Sequence, residues 1–513
     1  MKSARHEAPS RSIDGQQETE LKFGVDPARL AAVEAALSGL TTTLASIESH
    51  YFDTAERQLA KAGLSLRLRR SDQGWEQTLK GPGDSLVDRL EDTVQLPAAP
   101  RAATPAIDLG LHAGTRAGKL IGAALGDDHE RGGAILQALF TTRVRRRSAR
   151  VVTADATVEL ALDTGSIEHD GTTVPICELE YELKAGRAEL LFELGAAGVV
   201  QHGMWLSVLS KSMRGDALAN GNAAVAAAKA CPPMLTRTMS GPAIYRAALR
   251  SCFEQISINA SAVASGRYDG EVIHQLRIGL RRLRTAGREL AALSGTPEPA
   301  WDAVAAQTFR SLGAYRDAST VAAALHDMLA AAGSPQPSLD ARGPEVPDPE
   351  QQVRATSFQL ALLQVLADAR ESSDDGPGTA ERPPSKPLRR IAARLADLHA
   401  RIKKDAKRFE GLESVQQHVV RKRLKRLRYL AELVGSLYDR RQVDRYIEDL
   451  RPAQDALGEH VDLLVGLKLA RQAALSGGGD VWFNVGYLSA KLPTTAATCR
   501  RALVKVAGLR PFW

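Results

Sequence analysis

Apolar and polar residues alternate in a series of short stretches along the N-terminal part of the chain: Glu18–Phe23, Leu64–Arg70, Trp75–Lys80, Thr142–Arg150, Val158–Asp163 and Ile176–Leu183. A period of two marks a strand with one apolar and one polar face. Pro27–Leu37 and the stretch from about Arg187 to Val200 break that rhythm and predict helical inserts. Many strands with polar side chains on alternate positions predict a closed antiparallel barrel with a charged interior, assigned here to residues 16–217. An Ala-rich stretch ending in Pro232-Pro233 follows, so 218–239 read as a linker. From 240 to 513 the pattern is helical. The expected fold is α+β and multidomain, an N-terminal antiparallel β-barrel followed by an all-α domain.

The helical part repeats itself. His274, Arg277, Arg281, Arg282 and Arg284 recur as His418, Arg421, Lys425, Arg426 and Arg428, an offset of 144 residues. Leu312-Gly313 with Asp317 recurs as Leu457-Gly458 with Asp462, an offset of 145. Two landmarks at nearly one offset predict a duplicated helical bundle, with copies at about 240–333 and 388–475. Segments 334–351 and 372–387, rich in Pro, Gly, Ser and acidic residues, are expected to be mobile loops.

At about 100° per residue, His274, Arg277, Arg281, Arg284 and Arg288 fall within an arc of roughly 80° on one helix face. His418, Arg421, Lys425 and Arg428 align likewise, while Leu276, Leu280, Leu283, Leu424 and Leu427 supply the packing faces. Like charges stacked on one face repel, so each stripe calls for an anion or for carboxylates opposite. A solvated face is the simpler reading of a single charge run, but recurrence in register favours a binding surface. Nucleic acid would match the charge, yet aromatic residues make up 5% of the chain and only Tyr429 adjoins a stripe, which leaves no base-stacking platform. An inorganic polyanion is the expected partner.

Total charge adds little, since 67 basic and 60 acidic residues leave +7 over 513 residues; placement carries the information. Cys177, Cys231, Cys252 and Cys499 have neither metal-ligand nor disulfide spacing. No stretch approaches the roughly 18 apolar residues of a membrane span, and residues 1–17 lack an apolar signal core, so a cytoplasmic protein without a membrane partner is expected. No Gly-x-x-x-x-Gly-Lys-Ser/Thr sequence supports a P-loop.

On a strand, Glu18, Glu20 and Lys22 share one face, as do Arg67 and Arg69, and Glu178, Glu180, Glu182 and Lys184; Lys80 ends another strand. Paired carboxylates suit a hard cation such as Mg²⁺ or Mn²⁺, and ammonium and guanidinium groups suit phosphate oxygens. If these faces turn inward together, the lumen suits a metal-bound triphosphate.

Both helical repeats resemble the signature of the CHAD family, helical domains that bind inorganic polyphosphate, over about Ser240–Trp513. The strand-rich part resembles the CYTH superfamily of triphosphate tunnel enzymes over about Glu18–Gly215. Its landmarks are Glu18-Thr-Glu20-Leu-Lys22, Tyr51-Phe52-Asp53-Thr54, Leu66-Arg67-Leu68-Arg69, Thr78-Leu79-Lys80, Arg89-x-Glu91, Phe140 through Arg146, Glu159 to Asp163, Glu178-x-Glu180 and Ser210-Lys211. That resemblance implies that Lys22, Arg67, Arg69, Lys80, Arg146 and Lys211 grip phosphates. It implies that Glu18, Glu20, Asp163, Glu178 and Glu180 hold metal, with Glu91 a further ligand, and that Glu18, Glu20, Lys22 and Lys80 are central to catalysis. Many relatives carry a second acid where this chain has Thr93; Asp92 points to the other face, and Asp155 and Asp170 are possible substitutes. The expected activity is metal-dependent hydrolysis of tripolyphosphate, with polyphosphate bound by the helical repeats and granule association in view. The alternatives are a non-catalytic polyphosphate-binding protein with a degenerate tunnel, and a CYTH-type adenylate cyclase or thiamine-triphosphate hydrolase.

Overall fold

The computed structural model describes residues 17–83, 88–97, 104–126, 136–295, 299–316, 322–338, 347–370, 385–476 and 479–513. Its strands are β1 (Gln17–Gly24), β2 (Thr42–Asp53), β3 (Ser65–Ser71), β4 (Gly74–Pro82), β5 (Asp88–Gln95), β6 (Gln137–Val152), β7 (Ala156–His169), β8 (Thr172–Gly186) and β9 (Trp205–Leu206). They form one antiparallel sheet in the order β5-β4-β3-β2-β6-β7-β8-β1-β9, and β1 pairs with β5 as well as β8, which closes eight strands into a barrel. Every strand read from alternation is present. β2, β5 and β9 lie outside those six stretches.

Alternation decides which side chains enter the barrel. Leu66, Leu79 and Leu90 point outward into an apolar layer with Leu59, Leu64, Ala117, Ile121 and Leu125. That layer is covered by α2 (Gln58–Lys61) and α3 (Arg116–Leu125); α1 (Leu30–Ser38) precedes them in the chain. Their sequence neighbours Arg67, Lys80 and Glu91 must then point inward. α4 (Glu189–His202) packs on β1 and β8, with Gly195 so close to Phe23 that an added Cβ would lie 2.6 Å from its ring. α5 (Lys211–Ala219) packs on β6 and β7, its Gly215 seated on Phe140.

The helical part comprises α6 (Gly241–Ala264), α7 (Gly270–Leu290), α8 (Trp301–Arg316), α9 (Ala322–Ala331), α10 (Pro349–Arg354), α11 (Thr356–Ala369), α12 (Ser385–Ala406), α13 (Ser414–Val434), α14 (Arg440–Ser476) and α15 (Trp482–Ala507). The first repeat motif lies on α7 and α8, the second on α13 and α14. Loop 372–387 lies mostly outside the described residues, as do the middle of loop 334–351 and Asp317; residues 334–338 are non-helical as expected, whereas 349–351 and 385–387 are helical, in α10 and α12.

The chain divides into two compact units. One holds the barrel together with Ser257–Val272 and Val353–Leu363, and the other holds Ala228–Ile256, Ile273–Gln352 and Gln364–Trp513. Among the described residues no helix is long and apolar enough to cross a membrane.

Candidate functional site

Strand register gathers the barrel's charged residues. Lys22 lies opposite Glu180, Glu178 opposite Asp163, and Asp163 opposite Arg146, which lines up β1, β8, β7 and β6 at one level. Arg146 reaches over β7, donating from Nε and Nη2 to Asp163 at 2.7 Å and from Nη2 to Glu180 at 2.6 Å.

Asp163, Glu178 and Glu180 each offer an oxygen within 4.8 Å of the others. Lys211 is the first residue of α5, where the Ser210 hydroxyl caps the helix by accepting from Met213 N–H. Its ammonium touches all three carboxylates, at 2.7 Å (Asp163), 2.5 Å (Glu178) and 3.0 Å (Glu180). Arg214, one turn on, donates to Glu178. Burial favours the neutral form of Glu178, but Arg214 and Lys211 outweigh it and hold the carboxyl down to about 2. The same contest, won by Lys211 and Arg146, holds Glu180 well below the carboxylate range. Burial also opposes the Lys211 charge, yet the three carboxylates hold its pKa above the ordinary lysine value. Lys22 donates to the Leu209 carbonyl at 2.6 Å, and burial pushes it down to about 8 against the pull of Glu178.

A second cluster sits across β1, β5, β4 and β3. Lys80 contacts Glu91 and, at 3.2 Å, Glu18, while Arg67 lies 3.6 Å from Glu91. Burial raises Glu18 to about 7, with Lys80 opposing; Glu91 is held well below its usual range because Lys80 and Arg67 outweigh its own burial. Arg69 pairs with Glu76 at 3.2 Å, and burial together with Arg67 lowers it to about 10. Glu20 pairs with Arg89 at 3.1 Å and does not join the three-carboxylate group.

Thr93 keeps the inward position expected of an acid, donating to Glu91 at 3.0 Å and hydrogen-bonded to Thr78. Asp92 points the other way, against buried His112 at 2.9 Å. Asp155 and Asp170 are exposed at turns and do not substitute for the missing carboxylate. Arg214 was not read from the sequence, although Lys211 and Arg214 stand at i and i+3 after a serine cap, a spacing that puts both on one helix face.

On the helical side, His274, Arg277, Arg281 and Arg284 are half-buried on α7 and Arg288 is exposed, while Leu276, Leu280 and Leu283 are buried. His418, Arg421, Lys425 and Arg428 are half-buried on α13 over buried Leu424 and Leu427. The stripes meet: burial lowers the His418 pKa, and Lys422, Arg421, Arg281 and Lys425 lower it further. Lys422 is lowered by burial and by Arg284, Arg281, Arg310 and Arg288. Cations from both repeats therefore act on one place. Asp302 answers part of this charge, bonding Arg284 at 3.0 Å and Arg288 at 2.9 Å.

The Leu-Gly landmark acquires a reason in the first repeat. A Cβ on Gly313 would stand 2.8 Å from Arg277 Nη1, so that glycine makes room for the arginine, whereas one on Gly458 would stand 3.9 Å from Arg421 Nη2, in ordinary contact. Phe309 lies under both Arg277 and Arg281, with its ring centroid 4.8 and 4.7 Å away, a contact the sequence did not reveal. Arg282 turns inward instead, donating to Gln255 and Ser251.

Residues 16–203 match the CYTH domain family and residues 247–471 the CHAD domain family. An inorganic triphosphatase of Haemophilus influenzae is 27% identical over 202 residues, 39% of this chain and 54% of that protein, so the chain spans about half of that relative. An uncharacterized Mycobacterium tuberculosis protein is 24% identical over 509 residues, covering 89% of this chain and 88% of its own length. Among solved structures, a CHAD domain from Ricinus communis is 27% identical with a TM-score of 0.41, covering 56% of this chain and 98% of that one. A Hippeastrum adenylyl-cyclase candidate described with a dominant triphosphatase activity is 20% identical with a TM-score of 0.29, covering 40% and 97%. The chain belongs to the proteins that join a CYTH domain to a CHAD domain.

Proposed function

We propose that the protein is a metal-dependent inorganic triphosphatase acting on tripolyphosphate-like substrates, and that its helical repeats bind inorganic polyphosphate. The observation that carries this reading is the group of Asp163, Glu178 and Glu180 inside a closed barrel, with Arg146, Lys211 and Arg214 bonded to it. All three donors are hard oxygens, and the Lys211 ammonium touching each of them stands where positive charge is needed; the set fits Mg²⁺ or Mn²⁺. A bound divalent ion supplies charge neutralisation at phosphate oxygens. Lys22, Arg146, Lys211, Arg67, Arg69 and Lys80 bind the remaining oxygens and orient the terminal phosphoanhydride for attack by water held near the carboxylates. Glu18, raised to about 7, is placed to exchange a proton near neutrality. Glu20 holds Arg89 beside this region.

Polyphosphate binding by the helical repeats would bring the protein to polyphosphate granules in the cytoplasm. Thr93 in place of an acid favours a second reading, a non-catalytic polyphosphate binder. Phosphate release from tripolyphosphate with Mg²⁺ or Mn²⁺, compared with ATP and thiamine triphosphate, separates them. Turnover of tripolyphosphate above the other two supports the triphosphatase, and no turnover of any leaves the binder.

A further inference from the structure

β9 is short and, among the described residues, is paired with a strand on one side only. Toward β1, Leu206 stands opposite Phe23 and Ser207 N–H donates to the Lys22 carbonyl at 2.8 Å. Its other edge is met by side chains from far along the chain. Leu206 N–H donates to Gln359 Oε1 at 2.8 Å, and Val208 N–H donates to Ser261 Oγ at 3.1 Å. Gln359 and Ser261 are each 1% exposed. Both are held in turn: Gln359 Nε2 donates to the Val353 carbonyl at 2.7 Å, and the Ser261 hydroxyl donates to the Ser257 carbonyl at 2.6 Å. Alongside, Arg354 lies 4.0 Å from the Trp205 ring centroid and donates to Asp26 at 3.1 Å.

From this clamped strand the backbone runs into Leu209, whose carbonyl accepts from Lys22 Nζ, and Ser210, which caps the helix that begins with Lys211. Two side chains thus hold the main chain that sets two lysines. A buried edge N–H has no water to fall back on, so each bond is needed where it stands.

We propose that Gln359 and Ser261 are positioning residues for Lys22 and Lys211, so that the barrel's grip on phosphate depends on α6 and α11 as well as on its own strands. This inference rests on the triphosphate reading above. Gln359→Leu keeps the volume and removes the acceptor. It should raise KM for tripolyphosphate about tenfold with a smaller change in kcat, as loss of one oriented charge contact implies. It should speed amide exchange across 205–214 while leaving β6 and β7 protected. If Gln359→Leu does not fold, Ser261→Ala gives the milder version of the same readouts. An active wild type beside a soluble variant with unchanged KM overturns the positioning role alone. A wild type that neither turns over nor binds tripolyphosphate removes the triphosphate reading, and this inference with it.

Discussion

Lys22 is buried beside two further cations, Lys211 and Arg214, and its pKa falls to about 8 because burial favours the neutral amine. The sign follows directly. Below about 8 the ammonium is present to meet phosphate; as pH rises through that value the charge is lost, well before an ordinary lysine would lose it. The kcat/KM for tripolyphosphate should therefore fall through about pH 8, since that ratio reports the free enzyme, and a profile flat far above it would assign the grip elsewhere. At the other site the two glycine seats differ. A Cβ at Gly313 meets Arg277 at 2.8 Å, whereas one at Gly458 is in ordinary contact with Arg421 at 3.9 Å. Because the atom met is the tip of a flexible side chain, Gly313→Ala should displace Arg277 without unfolding the helix, weakening polyphosphate binding in titration calorimetry more than Gly458→Ala does. Equal effects would contradict this seating. The sequence made the inward charges legible because strand alternation ties each residue to a face. It could not show Phe309 under Arg277 and Arg281, which depends on how α8 packs on α7 and leaves no periodic trace.

At the scale of elements, α5 carries two of the three cations that engage the carboxylate group, so its seat matters as much as its side chains. Gly215 is the contact point, and a Cβ there would lie 2.1 Å from Phe140. Gly215→Ala should lift the helix, costing about 1–3 kcal/mol as overpacking does and reducing turnover beyond the loss of folded protein. Chemical denaturation together with activity per folded molecule checks both. α5 was not read as a helix because its stretch is short and polar, whereas the α4 stretch is longer and rich in apolar residues. β2 was missed for a similar reason. Thr42–Asp53 mixes small and polar residues on both faces, with an irregularity between Tyr51 and Phe52, so no clean alternation survives.

For the whole molecule, the proposed division between the cationic repeats and the charged barrel implies separable losses. Lys22→Ala should abolish tripolyphosphate turnover while sparing long-chain polyphosphate binding. Arg277→Ala with Arg421→Ala should do the reverse and flatten the salt dependence, by about one released counterion per lost contact. Loss of both functions in either variant would refute the division of labour. Barrel closure has a consequence during synthesis. β1 is made first, yet Glu20 must wait for Glu182 and Phe23 for Leu206 before that edge is covered. Throughout that interval the growing chain carries an open strand edge of the kind that invites mispairing. Glu18, Glu20 and Lys22 place charge along it at every second residue, and charge on an open edge opposes the mispairing that leads to aggregation.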